Sequence, residues 1–353
     1  MSSCVGGRLG LTIGAAAFLA IGAVPALAAQ VDGPKVNWNL STFTKEGRGI
    51  ASVFSETEGL PMLVGKATDG NFKIKVHYSE ALAPAKEHLD SLKIGAFEMG
   101  LFSASLAPGK MPLYTAFDLP FLPLGDVAVQ ARVMLAYYRL PEAIKEAELW
   151  NVRLLLPGLL PAYEAMGKGK PPQNIADFKG LRVRAIGGQG EAMRKVGAVP
   201  TTMVTSEVYG ALERGIIDAA MFPFYATHSY KLYEVSNWYT TNLALGVGAS
   251  VVPVNLKAWN DLPPQYRKLI DDSVAEAVSN GVKAFADMQA VAVNAFSQKK
   301  LTPITFSTAD VEQFTQQGGR PVWDAWVKEM EAKGLPGRKV LDFILAEAKK
   351  AGS

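Results

Sequence analysis

Val36-Asn37-Trp38-Asn39-Leu40, Phe72-Lys73-Ile74-Lys75-Val76-His77-Tyr78 and Glu98-Met99-Gly100-Leu101-Phe102 decide the fold. The first two alternate apolar and polar side chains, the period of a strand with one buried face. Between them, residues 47–67 carry helical spacing that stops at Asp69-Gly70. A shorter helical pattern, 87–95, precedes the third strand. The order is β-α-β-α-β. Parallel strands joined by helical crossovers require a sheet with helices on its faces, so the predicted class is α/β.

Reading towards the C-terminus, 108–123 is rich in Pro and aromatics (Tyr114, Phe117, Phe121) and suits a structured loop. Helical patterns follow at 127–138 and 141–149, then a buried strand at 152–156. Pro157-Gly158 marks a crossing into a second lobe. There, 181–186 is a strand, Gly187-Gly188-Gln189-Gly190 opens a helix, and 217–222 is a further strand. The helix 206–214 is capped by Thr205 or Ser206 and ended by Gly215. The Gly-interrupted apolar run 243–254 suits a strand returning to the first lobe. One long helical pattern, or two abutting ones, fills 263–300, and two more occupy 310–333 and 337–350. The expected division is lobe I from 29–156 with about 247–300, and lobe II from 157–246 with about 301–353. Two α/β lobes joined by more than one crossing enclose a cleft, and ligands of such sheets bind at the carboxyl ends of the strands.

Towards the N-terminus, Arg8 is the only charge before Asp32. The apolar stretch Leu9 to Val24, Pro25 and then Ala26-Leu27-Ala28 follow the order of a secretory signal. The stretch is shorter than the ~20 residues of a spanning helix, so 1–28 is expected to be a signal peptide, cleaved after Ala28. The remainder is expected to be exported to the periplasm with no stable membrane insertion, and is long enough for two cores. The one cysteine, Cys4, lies inside that signal. The mature chain would then offer no thiolate for a metal site or a nucleophile. A net charge of +3 with dispersed Lys and Arg provides no electrostatic footprint for nucleic acid.

Catalytic patterns are sparse. G-x-S-x-G and the Walker loop are absent, and His77, His88 and His228 lack metal-ligand spacing. Residues 187–190 miss the dinucleotide fingerprint, although the amides of such a strand-to-helix turn favour an anion. The expectation is a binding protein with no cofactor or metal, not an enzyme. In Leu181-Arg182-Val183-Arg184-Ala185-Ile186, Arg182 and Arg184 share a face opposite Val183, and Arg184 is nearer the carboxyl end. A guanidinium can hold a carboxylate through two charge-assisted bonds, which lysine cannot match. Spacing alone serves a structural ion pair equally well. Trp38, Ser41, Thr42, Phe102 and Ser103 fall at strand ends of the first lobe and are candidates for the opposite wall.

Four blocks carry a family resemblance: Asp177-Phe178-Lys179-Gly180-Leu181-Arg182-Val183-Arg184, Val196-Gly197-Ala198-Val199-Pro200, Ser206 to Gly215 and Ile217-Asp218-Ala219. They resemble the signature of solute-binding proteins of TRAP (tripartite ATP-independent periplasmic) transporters, the C4-dicarboxylate-binding-protein-like family. Gly95 to Gly100, Asp118-Leu119-Pro120-Phe121 and Trp259-Asn260-Asp261-Leu262-Pro263 agree in order. The resemblance implies a two-lobed, type II-like periplasmic binding protein with a long helix bracing both lobes. It implies an organic-anion ligand, a TRAP membrane permease as partner, and Arg184 as the carboxylate-binding residue. Sialic-acid-type members carry a second arginine where the nearest match is Glu164, and a ligand-binding asparagine where Phe222 stands. With Tyr163, Phe224 and Tyr225 nearby, the expected ligand is a monocarboxylate with an apolar or aromatic body, such as a 2-oxo or 2-hydroxy acid. Glu164 either accepts from a ligand hydroxyl or amine, or points to solvent. The rival readings are the binding protein of an ATP-driven importer and a periplasmic enzyme.

Overall fold

Strand β1 (Val36–Ser41) pairs in parallel with β2 (Phe72–His77) and β3 (Met99–Gly100), as the alternation predicts. The computed structural model describes residues 30–352 apart from 108 and 204, so the expected signal at 1–28 lies outside the described residues. The remaining strands are β4 (Phe102–Ser103), β5 (Val152–Gly158), β6 (Glu164–Gly167), β7 (Arg182–Arg184), β8 (Val199–Thr201), β9 (Ala219–Phe222), β10 (Trp238–Thr240), β11 (Ser250–Asn255) and β12 (Thr302–Ile304). One sheet runs β2-β1-β3-β11-β4, with β5 also on β11; the other runs β12-β10-β6-β9-β7-β8.

Period-two burial is clear on β2, where Phe72, Ile74 and Val76 face the core and Lys73 and Lys75 face water. Two sequence patterns break. The helical spacing of 47–67 splits into a 3-10 turn, Ile50–Phe54, and a helix, Leu60–Ala67. Pro61 has no N–H to give a preceding turn, so a helix can begin there but not pass through. Residues 98–102 divide at Leu101 into β3 and β4.

The pattern at 263–300 is one continuous helix, Pro264–Gln298, about 50 Å long at 1.5 Å per residue. Its Tyr266, Ile270, Ala277 and Phe285 enter the core under the first sheet. Its Ala292 and Phe296 enter a core against the second sheet, with Phe222 and Leu212. A Cβ on Gly281 would lie 2.4 Å from Val53 Cγ1, so the helix backbone sits as close to the first lobe as it can.

The tail departs from the expected division. β12, Phe306 and Phe314 lie with the second sheet. The helices Arg320–Ala332 and Gly337–Gly352 instead send Trp323, Val327, Val340, Leu341 and Ile344 into a core with Phe117, Val133 and Tyr137. Assigning all of 301–353 to the second lobe is therefore corrected: the apolar stripe of the last helix is buried against the first. The redirection occurs at the π turn Thr315–Gly319, where Gly318 and Gly319 bring the backbone against Phe121.

Residues 243–249 cross between the sheets, and two carboxylates hold the crossing. Glu164, buried, accepts from Thr240 Oγ1 (2.5 Å), Leu243 N (3.0 Å) and Ala244 N (2.9 Å). Asp118 accepts from Ala249 N (2.8 Å) and from Ser105 Oγ. Burial raises the pKa of Glu164 to about 7 and of Asp118 to about 6, against these hydrogen bonds. Glu164 therefore keeps its proton in the folded chain where the unfolded chain has lost it. Its contribution to stability falls as pH rises from about 4.5 through 7.

Two outcomes are expected. Thermal unfolding of Glu164→Gln at pH 5, 6 and 7.5 will show a flatter dependence on pH than the parent, whatever its absolute Tm; an unchanged slope would remove Glu164 from the titration. Gly281→Val will destabilise by about 1–3 kcal/mol through overpacking against Val53, read from a denaturant midpoint.

Candidate functional site

β7 lies between β8 and β9, with Arg184 opposite Thr201 on one side and Ala220 on the other. Arg184 is the last residue of the strand, and Gly187 turns the chain into the helix Gly187–Lys195 at φ +50°, a conformation that favours glycine. The two uses open to an arginine on this face fall to different residues. Arg182 is exposed and takes the structural ion pair, donating from Nε (3.0 Å) and Nη2 to Asp218. Arg184 is only 5% exposed and makes no ion pair among the described residues. Its Nε and Nη1 donate to the carbonyls of Met203 and Met221, both at 3.4 Å, the long limit of a hydrogen bond. Its Cζ stands 4.2 Å from the centre of the Phe222 ring.

Burial lowers the pKa of Arg184, and the nearby Tyr163 and Tyr230 hydroxyls oppose that shift. A guanidinium nonetheless stays charged. Arg184 is the only buried Lys or Arg among the described residues. A charge taken from water without a counter-ion carries a penalty of several kcal/mol, so the environment favours an incoming anion.

The walls are aromatic because the antiparallel register Glu164↔Phe222 brings Tyr163 beside the end of β9. Tyr163 lies nearly parallel to Phe222, ring centres 6.5 Å apart at 20°. Tyr230 meets the same ring at 6.4 Å and 40°. Tyr225 packs on Phe285 of the long helix (5.6 Å), and burial, with the Tyr163 and Tyr230 hydroxyls, raises its pKa. Arg184, Phe222 and Tyr163 are thus brought together, with Tyr225 and Tyr230 beside them.

Other candidates lie elsewhere. The Glu164 carboxylate neither meets solvent nor stands free, because three donors of the crossing region occupy it. Phe224 packs edge-on against Tyr239 and Phe296, both at 5.5 Å, as part of the contact between sheet and long helix. Trp38 packs edge-on against Phe72 at 5.0 Å in the first core. Phe102 is wholly buried and packs in the core that also takes the tail helices. Ser103, also buried, pairs with Ser250 of β11. Ser41 bonds His88 Nε2 (3.1 Å).

Tyr230 was not legible as a site residue, because it stands well past the strand end with no pattern attached. Met203 contributes a backbone carbonyl, which no side-chain motif reveals. A cavity of about 660 Å³ is lined by Tyr138, Arg153 and Trp259 on the first lobe and does not include Arg184. Among the described residues no three His, Cys, Asp or Glu group as metal ligands, and no helix is long and apolar enough to cross a membrane.

The profile of bacterial extracellular solute-binding protein family 7, DctP, matches residues 50–330. A monocarboxylate 2-oxoacid-binding periplasmic protein of Nostoc sp. is 29% identical over 69% of this chain and 66% of its own length. The C4-dicarboxylate-binding periplasmic protein DctP of Rhodobacter capsulatus is 26% identical over 94% of this chain and 97% of its own. A crystal structure of a TRAP solute binding protein from Rhodoferax ferrireducens, in complex with copurified benzoate, shares the fold. Its TM-score is 0.74 at 22% identity, covering 90% of this chain and 98% of that one. These relatives are substrate-binding components of transporters and not enzymes. The profile covers most of the chain, including every strand but β1 and the whole long helix: the chain belongs to bacterial extracellular solute-binding protein family 7, the periplasmic solute-binding proteins of TRAP transporters.

Proposed function

We propose that this protein captures a small monocarboxylate with an apolar or aromatic body, 2-oxo and 2-hydroxy acids among them, and delivers it to a TRAP membrane permease. The observation that carries this reading is Arg184: a buried guanidinium without a carboxylate partner, set against Phe222 and Tyr163. A ligand carboxylate takes the N–H groups that now reach only two long carbonyl contacts. A second carboxylate would find no second buried cation, Arg184 being the only one among the described residues, which favours a single acid group. The relatives' ligands include a 2-oxoacid and benzoate, in line with one acid group, and a C4-dicarboxylate, which is not.

The cycle is capture by lobe closure. Closure excludes water from the Arg184 contact and strengthens it, and is driven only by the ligand's greater affinity for the closed state. Residues 1–28 serve as the export signal in this reading. We take the first lobe to be 30–156 with 250–285 and 320–352, and the second to be 163–243 with 286–314, the long helix spanning both.

The decisive experiment is a thermal-shift and calorimetric screen of the mature protein against mono-, di- and tricarboxylates, beside Arg184→Ala and Arg184→Lys. A ligand at a hundred times its Kd stabilises by about 2.7 kcal/mol, a rise of several degrees in Tm. Monocarboxylates are expected to give that rise, Arg184→Ala to abolish it, and Arg184→Lys to weaken binding at least tenfold for want of bidentate geometry. A polyanion as the tightest ligand, or a monocarboxylate that binds Arg184→Ala as well as the parent, would overturn the reading.

A further inference from the structure

We infer that Tyr230 is the selectivity wall of this site, its ring closing over the body of an aryl-bearing monocarboxylate held at Arg184. The inference rests on the monocarboxylate reading and narrows its substrate class.

Arg184, Phe222 and Tyr163 form a wall with little freedom, since the first two are buried and all three are tied to strand ends. Tyr230 differs. It is 47% exposed, the one aromatic among the large apolar side chains left exposed in the described residues. It stands at the end of the short helix Phe224–Ser229, before Lys231, which turns the chain at φ +56°. Its ring still contacts Phe222, the ring that supports Arg184. One edge of Tyr230 is therefore at the site and the other is in water.

The lobes also meet beside it. A Cβ on Gly49, at φ +125° in the first lobe, would lie 4.0 Å from Tyr225 Cε2. A cavity of about 210 Å³ there is bounded by Arg48 from the first lobe, Tyr225, His228 and Ser229 from the second, and Met288 of the long helix. First-lobe chain thus lies beside the helix that Tyr230 caps.

Carbon atoms pack at about 3.5–4.0 Å, so a ring sandwiched between two others needs them about 7 Å apart. Tyr230 and Phe222 stand at 6.4 Å and 40°, closer than that and in direct contact, so the ligand's ring packs on the exposed face of Tyr230 rather than between the two. A ligand ring there covers the exposed Tyr230 surface and gains stacking on it. A lactate-sized acid binds Arg184 without reaching that face.

The test is calorimetry with 3-phenyllactate and lactate, which share a head group and differ by a phenyl ring, on the parent, Tyr230→Ala, Tyr230→Phe and Arg184→Ala. The expected result is a Kd for phenyllactate at least tenfold weaker in Tyr230→Ala and within threefold of the parent in Tyr230→Phe. Lactate should weaken by a clearly smaller factor than phenyllactate in Tyr230→Ala, and Arg184→Ala should lose both acids. Equal weakening of the two acids in Tyr230→Ala, no weakening of either, or loss in Tyr230→Phe as large as in Tyr230→Ala each overturns the ring-wall role. A parent that binds lactate through Arg184 but not phenyllactate overturns it too, while leaving the monocarboxylate reading intact. A parent that binds no monocarboxylate sinks both.

Discussion

A positive charge kept from water without an anion is the constraint from which the second lobe is best understood. Arg184 reaches two carbonyls at the limit of bonding distance and lies against Phe222, so its folded environment stabilises it poorly. The neighbouring Arg182 shows what the same strand does when function is not at stake: it stays at the surface and pairs with Asp218. Two residues apart on one face of one strand, one guanidinium is paired at the surface and the other is buried without an anion. A site of this kind stores part of the binding free energy as unfavourable solvation of the empty protein, which the ligand's carboxylate relieves.

The crossing between the two sheets is held by two buried acidic side chains as well as by apolar packing of Leu243, Leu245 and Val247. Glu164 and Asp118 hold the two ends of 243–249 through backbone amides. Each is wrapped by donors, which makes the crossing directional and resistant to sliding, because a one-residue slip would strand an ionisable group among unsatisfied amides. Tyr163 adds a reciprocal pair of backbone bonds with Leu245 and Gly246. The residue that stacks on Phe222 is thus joined to the crossing itself.

Much of this was legible in the sequence, for reasons that can be named. Strand alternation at 36–40 and 72–78, with a helical crossover between, gave the parallel sheet, and alternation at 181–186 set Arg184 opposite Val183. The K-G-L-R-V-R block supplied the family. What was not legible depends on partners far along the chain. Whether Trp38 and Phe102 face a cleft or a core is decided by Phe72 and by the tail helices, which strand periodicity cannot show. Glu164 read as a departure from a ligand arginine, because its partners Thr240, Leu243 and Ala244 are some eighty residues on. The tail was misassigned since an amphipathic helix announces that it will pack, but not on which lobe.

That tail has a consequence for how the molecule assembles. The first lobe's cores join residues as far apart as Trp38 and Phe285, or Leu89 and Ile344, while the second sheet's cores use nothing outside Phe121 to Phe314. Contacts of such sequence separation form late, because a long loop must close before they are rewarded. The second lobe is complete in sequence before the first, which waits for the last helix, Gly337–Gly352. The lobe that holds Arg184 would therefore be first to gain its shape, and the lobe that closes over it last.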